Sequence, residues 1–195
     1  MNKHFEGRFE VELKYRLSSR EGFIKALAAM KPEVMHEDNL EQDTYFDLPD
    51  FSLDSQNKSV CIREIQPSGI MLWIVKGPEA DRCEAVNINN VTKARSMLHT
   101  MGYRQVLEVK KLRSIYFLGK FHVTVDRLEG LGDFAELAIM TEDESKLESY
   151  RLQLLSLAGD LGLSPEQLEV RSYRKLQTEL ELINICDSHV QLDDT

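Results

Sequence analysis

No stretch of this chain comes near the ~20 consecutive apolar residues that a bilayer-spanning helix requires. The opening MNKHFEGRFE has no apolar signal core. The expectation is a cytoplasmic protein with no membrane partner. Cysteine is scarce: Cys61, Cys83 and Cys186 are odd in number and far apart. No C-x-x-C or Cys/His spacing points to zinc or a disulfide framework, so reduced thiols are expected. Low-complexity linkers and solenoid-period repeats are also missing, which leaves an ordinary globular domain. Nor is there an excess of basic residues. Lys and Arg total 24 against 33 Asp and Glu, a net charge of −9. Such a surface repels nucleic acid unless positive charge is concentrated locally, so no nucleic-acid partner is expected.

What the chain does have is alternation. At 195 residues, with 42% hydrophobic and 29% charged, it has material for one well-filled domain. Residues 9–17 place Val11, Leu13, Tyr15 and Leu17 on one face of a strand and Glu10, Glu12, Lys14 and Arg16 on the other. A helix is expected over 19–30, with capping-box spacing between Ser18 and Glu21 and Pro32 just past its end. Further strands are expected over 43–46, 59–65, 70–76, 82–88, 106–118, 120–128 and 133–140. Pro67-Ser68-Gly69, Gly119 and Gly130-Leu131-Gly132 mark turns. Helices are expected over 91–101, from Thr141/Glu144 to about 161, and over 171–185. A polar, frayed end is expected over 186–195. Strands joined mostly as hairpins, with a few helices, read as α+β: an antiparallel barrel or strongly curved sheet with helices outside.

Several charges sit inside apolar strand sequences. Arg63 follows Val60-Cys61-Ile62, and Lys76 ends Leu72-Trp73-Ile74-Val75. Lys111 and Arg113 share a face with Ile115 and Phe117. Asp126 ends Val123-Thr124-Val125, and Glu136 lies within Phe134-Ala135-Glu136-Leu137. Charge in such surroundings is costly unless it is paired or holds a ligand. A lumen that gathers Lys14, Arg63, Lys76, Lys111 and Arg113 with Glu10, Glu12, Asp126 and Glu136 suits a polyanion and hard divalent ions. The alternative is a set of internal salt bridges without a ligand. His122 shares the Asp126 face and reads as structural. Trp73 reads as a core or rim aromatic.

Glu10-Val11-Glu12-Leu13-Lys14 resembles the E-x-E-x-K signature of the CYTH superfamily, the triphosphate tunnel metalloenzymes. The resemblance extends through Gln42–Asp47, Pro67–Pro78, Lys111–Tyr116, Val125-Asp126, Gly130–Glu136 and Arg171-Ser172-Tyr173. It is strongest to the bacterial class IV adenylyl cyclases. It implies a closed, antiparallel eight-stranded tunnel, often dimeric, so a homodimer is expected. The domain would span 1–178, with a partly disordered extension over 179–195. The implied reaction converts ATP to 3′,5′-cyclic AMP and pyrophosphate with Mg²⁺ or Mn²⁺, two ions per site. By the same resemblance Glu10, Glu12, Asp126 and Glu136 hold metal, and Lys14, Arg63, Lys76, Lys111 and Arg113 hold the triphosphate. Glu12, Glu136 and Lys14 are the implied catalytic set. A tripolyphosphatase or thiamine triphosphatase of the same fold would need the same charges. A non-catalytic ATP or polyphosphate sensor would have little use for paired carboxylates.

Overall fold

Alternation over Phe9–Arg16 makes the first strand, β1, whose Val11, Leu13 and Tyr15 are buried on its outer face. The computed structural model describes residues 3–190. Helix α1, Arg20–Ala29, follows. Its cap is Ser19 rather than Ser18: Ser19 is extended (φ −148°, ψ 108°) and its hydroxyl accepts from the Gly22 amide at 3.0 Å. Then come β2 (Glu33–Asp47), a one-turn helix α2 (Ser52–Ser55), β3 (Ser59–Gln66), β4 (Met71–Lys76) and β5 (Cys83–Asn87). Helix α3 (Val91–Thr100) leads to β6 (Arg104–Leu118), β7 (Phe121–Leu128) and β8 (Gly132–Thr141). Helices α4 (Leu147–Asp160) and α5 (Tyr173–Val190) complete the order. None of the helices is long and apolar enough to cross a membrane.

Three expectations change. β2 starts ten residues before the expected residue 43, because its polar first part pairs along β6 through register shifts after Val34 and His36. Glu144 opens a short turn, Glu144–Lys146, capped by Asp143, and α4 begins only at Leu147. Reciprocal capping instead occurs at Ser164, whose amide donates to Gln167 Oε1 at 3.0 Å. Helix α5 continues to Val190, so part of the expected frayed end is helical; 191–195 lie outside the described residues.

The strands form one antiparallel sheet in the order β1-β8-β7-β6-β2-β3-β4-β5. The expected closed barrel is therefore an open, curled half-barrel. Its edges meet at one bridge, Phe9 with Arg82, where the Glu10 amide donates to Asp81 O (2.8 Å) and the Cys83 amide to Arg8 O (2.9 Å). In that antiparallel register Cys83 faces Arg8 and the rest of β5 runs away from β1, so the two edge strands part after the bridge. At the other end of that edge the Glu169 amide donates to Lys14 O at 2.8 Å.

The convex face carries most of the apolar core. Phe23 and Leu27 of α1 and Leu154 and Leu157 of α4 pack on Val11, Leu13, Val123, Val125 and Leu137. Val91, Ala94 and Leu98 of α3 cover Phe46, Val60 and Ile62, and half-buried Trp73 packs against the edge of this cluster. Each such fully buried side chain contributes about 1.5–3 kcal/mol. One end of the concave face is stoppered by Tyr173 and Leu176 of α5 against Val109, Leu128 and Phe134. Towards the opposite end the turn Lys3–Phe5 stacks His4 on Phe117 at 4.0 Å and sets Phe5 4.7 Å from His122.

Candidate active site

With the apolar side chains turned outward, the alternate residues of the same strands line the concave face. β1 contributes Glu10, Glu12 and Lys14; β8 contributes Glu136, opposite Lys14 in register. β7 contributes Asp126, opposite Arg113 of β6, and Lys111 lies two residues before Arg113. β3 brings Arg63 beside Asp43 of β2, and Lys76 ends β4. All nine residues singled out from the sequence are thus on one surface.

They form three connected groups. Arg113 grips Asp126 through Nε (2.6 Å) and Nη2 (2.5 Å), and the same Nη2 donates to Glu136. Arg63 makes a two-pronged contact with Asp43 (2.6 and 2.8 Å), which also accepts from Lys111 Nζ at 2.8 Å. Lys76 donates to Glu10 at 2.9 Å. Lys14 lies 3.6 Å from Glu136 and 4.4 Å above the Tyr173 ring.

Two carboxylates here escaped the sequence reading. Glu41 and Asp43 are 2% and 1% exposed, deeper than most apolar residues. Glu41 lies 3.2 Å from Lys111 Nζ and 3.3 Å from Arg63 Nη1, yet its Oε2 makes no hydrogen bond. Tyr173 was also missed as a site residue: its hydroxyl donates to Asp126 Oδ2 at 2.7 Å. The signal for Glu41 and Asp43 was their two-residue spacing, shared with Tyr45 on the same face.

Burial of these groups divides them. Burial opposes ionisation of Glu136, but Arg113, Lys14 and Lys111 outweigh it and hold its carboxyl well below the usual range. Asp43 is likewise depressed against burial by Arg63 and Lys111. Glu10 is lowered because Lys76 overcomes burial. Glu12 goes the other way: burial and the charge of Glu136 push it up to about 7. It makes no hydrogen bond among the described residues, and its nearest cations, Lys14 and Lys76, are each 3.9 Å away. His122 is lowered to about 4 by burial and is neutral near pH 7. Burial raises the Cys61 and Cys83 thiols to about 12; both are free and inert. The side chain of Cys186 lies outside the described residues.

Among the described residues no three His, Cys, Asp or Glu side chains are already gathered around one point. The donor chemistry nonetheless fits a hard divalent ion beside Glu12. That carboxylate lacks a hydrogen bond and is burdened by a second anion, a charge deficit that a cation relieves. Asp126 differs, since both its oxygens are engaged by Arg113 and one also by Tyr173.

Residues 8–173 match the CYTH domain family model. This chain belongs to the CYTH family. It is 67% identical over 175 residues to the adenylate cyclase CyaB of Aeromonas hydrophila, covering 90% of this chain and 92% of that one. A solved structure from Vibrio parahaemolyticus is 51% identical with a TM-score of 0.86, over 89% of this chain and 99% of that one. A Hippeastrum protein with a dominant triphosphatase activity shares the fold alone, at 14% identity and a TM-score of 0.61, over 88% and 95% of the two chains. The CYTH domain accounts for the strand order and for the concave face that carries the charges.

Proposed function

We propose that this CYTH protein is a class IV adenylyl cyclase that converts ATP to 3′,5′-cyclic AMP and pyrophosphate. The observation that carries the reading is the convergence of Lys14, Arg63, Lys76, Lys111 and Arg113 on one concave surface beside Glu12, a carboxylate near pKa 7 with no hydrogen bond of its own. Similarity to the Aeromonas enzyme over nine-tenths of the chain supports ATP as the substrate.

Lys76, Arg63 and Lys111 are held by carboxylates in the free protein. A triphosphate would draw them onto its oxygens, Arg63 with its planar fork and the lysines as point charges. Lys14, between Glu12 and Glu136, is placed to neutralise charge at the reacting phosphate. The ribose 3′-oxygen attacks the α-phosphorus, its proton passes to Glu12, Glu136 or water, and the bond from the α-phosphorus to the α,β-bridging oxygen breaks to release pyrophosphate. Glu12 and Glu136, with Glu10 beside them, would hold a divalent ion. Such an ion supplies Lewis-acid neutralisation of phosphate oxygens and acidifies the attacking hydroxyl. Asp126 and Tyr173 fix the Arg113 guanidinium.

The test is product analysis by chromatography with mass detection, after incubation with ATP and Mg²⁺ or Mn²⁺. Cyclic AMP and pyrophosphate, lost on chelation, are expected. ADP and phosphate, or hydrolysis of tripolyphosphate without cyclic AMP, would overturn the cyclase reading and place the protein with the triphosphatases.

A further inference from the structure

The charge balance of the concave face turns on β2. Counted with Glu10, Glu12, Asp126 and Glu136, the buried Glu41 and Asp43 give six carboxylates against the five cations Lys14, Arg63, Lys76, Lys111 and Arg113. With Glu12 protonated the face is formally neutral, and with Glu12 ionised it is net negative. A triphosphate chain carries several negative charges. A surface without net positive charge offers it, bare of metal, little attraction.

The two β2 carboxylates are held differently. Asp43 is fixed by hydrogen bonds, two from the Arg63 fork and one from Lys111. Glu41 Oε2 stands 3.2 Å from Lys111 Nζ, 3.3 Å from Arg63 Nη1 and 3.8 Å from Arg113 Nη1, and it accepts a hydrogen bond from none of them. Burial opposes ionisation of Glu41, but Arg63, Lys111 and Arg113 outweigh it and hold its carboxyl below the usual range. Glu41 is therefore charged at neutral pH. The three cations already have hydrogen-bonded partners: Asp43 for Arg63 and Lys111, Asp126 and Glu136 for Arg113. A further buried carboxylate is a poor source of stability, because desolvation offsets its attraction to them. What Glu41 brings to the face is charge, not the aim of any cationic arm.

We propose that Glu41 sets the metal requirement of the site: its charge offsets Lys111, Arg63 and Arg113, so that a bare triphosphate binds poorly and a triphosphate complexed with a divalent cation binds well. Resting on the concave face as a triphosphate site, this holds whichever bond is then broken. Selectivity can be built by repelling the wrong form as well as by attracting the right one. The wrong form here is the metal-free polyanion, which would occupy the basic residues without bringing a Lewis acid. A phosphate oxygen bonded to Lys111 or Arg63 would lie roughly 6 Å or less from Glu41 Oε2, the sum of two contacts. At that range, inside a buried face, like charges repel strongly and salt screens them little. A metal complex carries its own positive charge and meets Glu41 with much less repulsion.

The experiment is calorimetric titration of the full chain with the methylene-bridged analogue of tripolyphosphate, whose bridges no phosphoryl transfer can break, once in EDTA and once with excess Mg²⁺. Wild type is expected to bind the Mg²⁺ complex at least roughly 10-fold more tightly than the free analogue. Glu41→Gln, and Glu41→Met as its apolar counterpart, should strengthen metal-free binding roughly 10- to 100-fold, while binding with Mg²⁺ stays within about 3-fold. Glu41→Asp keeps the charge and should keep the wild-type preference. A side chain with a purely structural role would instead weaken both arms alike. That result, an unchanged metal-free affinity, or the same gain in Glu41→Asp overturns the proposal. So does wild type that binds the free analogue as tightly as its Mg²⁺ complex, with no variant needed. Binding in neither arm removes the triphosphate site and this role of Glu41 together. Cyclic AMP formation from ATP by wild type is scored separately. Its absence, with the metal preference lost in Glu41→Gln, removes the cyclase reading alone; its presence, with that preference unchanged, removes the role of Glu41 alone.

Discussion

Replacing Glu12 by Gln should make the metal-free protein more stable at alkaline pH while abolishing its activity. Burial and the neighbouring Glu136 raise the Glu12 carboxyl from an ordinary 4.5 to about 7. Below pH 4.5 the group is protonated in both folded and unfolded chains and contributes no pH dependence. Between 4.5 and 7 the unfolded chain releases the proton and the folded chain retains it, so stability falls as pH rises. Above 7 the loss is complete. At ~1.36 kcal/mol per unit over the interval from 4.5 to about 7, it amounts to about 3 kcal/mol. The side chain is 26% exposed, so this is an upper figure. Glutamine resembles the protonated acid and escapes the loss. For a chain of this length the gain corresponds to a melting temperature higher by up to roughly 6–12 °C. Melting both proteins in chelator from pH 5 to pH 8.5 reads it directly: the two curves should nearly coincide at pH 5 and separate above pH 7. If Glu12→Gln melts at or below wild type at pH 8, the charge-repulsion account of this site is wrong. Such a result would also remove the argument that a cation belongs beside Glu12.

Other perturbations separate fixed ion pairs from this strained group. Asp43→Ala leaves Lys111 and Arg63 without their shortest partner and should cost about 3–5 kcal/mol by denaturant titration; a loss under 1 kcal/mol would show that Glu41 suffices alone. Because its carboxyl is depressed, Asp43 stabilises the fold above its unfolded pKa near 3.8. That stability fades as pH falls, so the variant should lose the wild type's acid-side slope. Tyr173→Phe removes a hydrogen bond to a charged Asp126 and should cost roughly 1.5–3 kcal/mol, measured in the same way. An unchanged midpoint would detach α5 from the site.

Strand alternation made much of the site legible. Glu10, Glu12 and Lys14 stand opposite apolar neighbours, and Arg63, Lys76, Asp126 and Glu136 interrupt apolar sequences, so their inward direction followed from a period of two. The first half of β2 could not be read in this way, because it inverts the usual pattern. Leu40 is 45% exposed, while Glu41 beside it is 2% exposed. A polar segment with an outward leucine looks like a loop, and only the cations of β3 and β6 explain the buried acids. The cap at Ser19 instead of Ser18 has the same origin, since either serine satisfies the local rule and backbone geometry selects one.

The sequence by itself determined the α+β class, most of the strand sequence, and a face rich in opposed charge, because side-chain direction in a strand depends only on parity. The tertiary structure decided what parity cannot reach. It left the sheet open, with its edges joined at one bridge instead of closed into a tunnel. It set Glu41 and Asp43 against Arg63 and Lys111, and it brought Tyr173 under Lys14 from the far end of the chain. It also left Glu12 without a hydrogen bond among the described residues, while Glu10 accepts from Lys76 and Glu136 from Arg113. These outcomes depend on register between strands distant in sequence and on how burial apportions charge among several partners, neither of which a local pattern encodes.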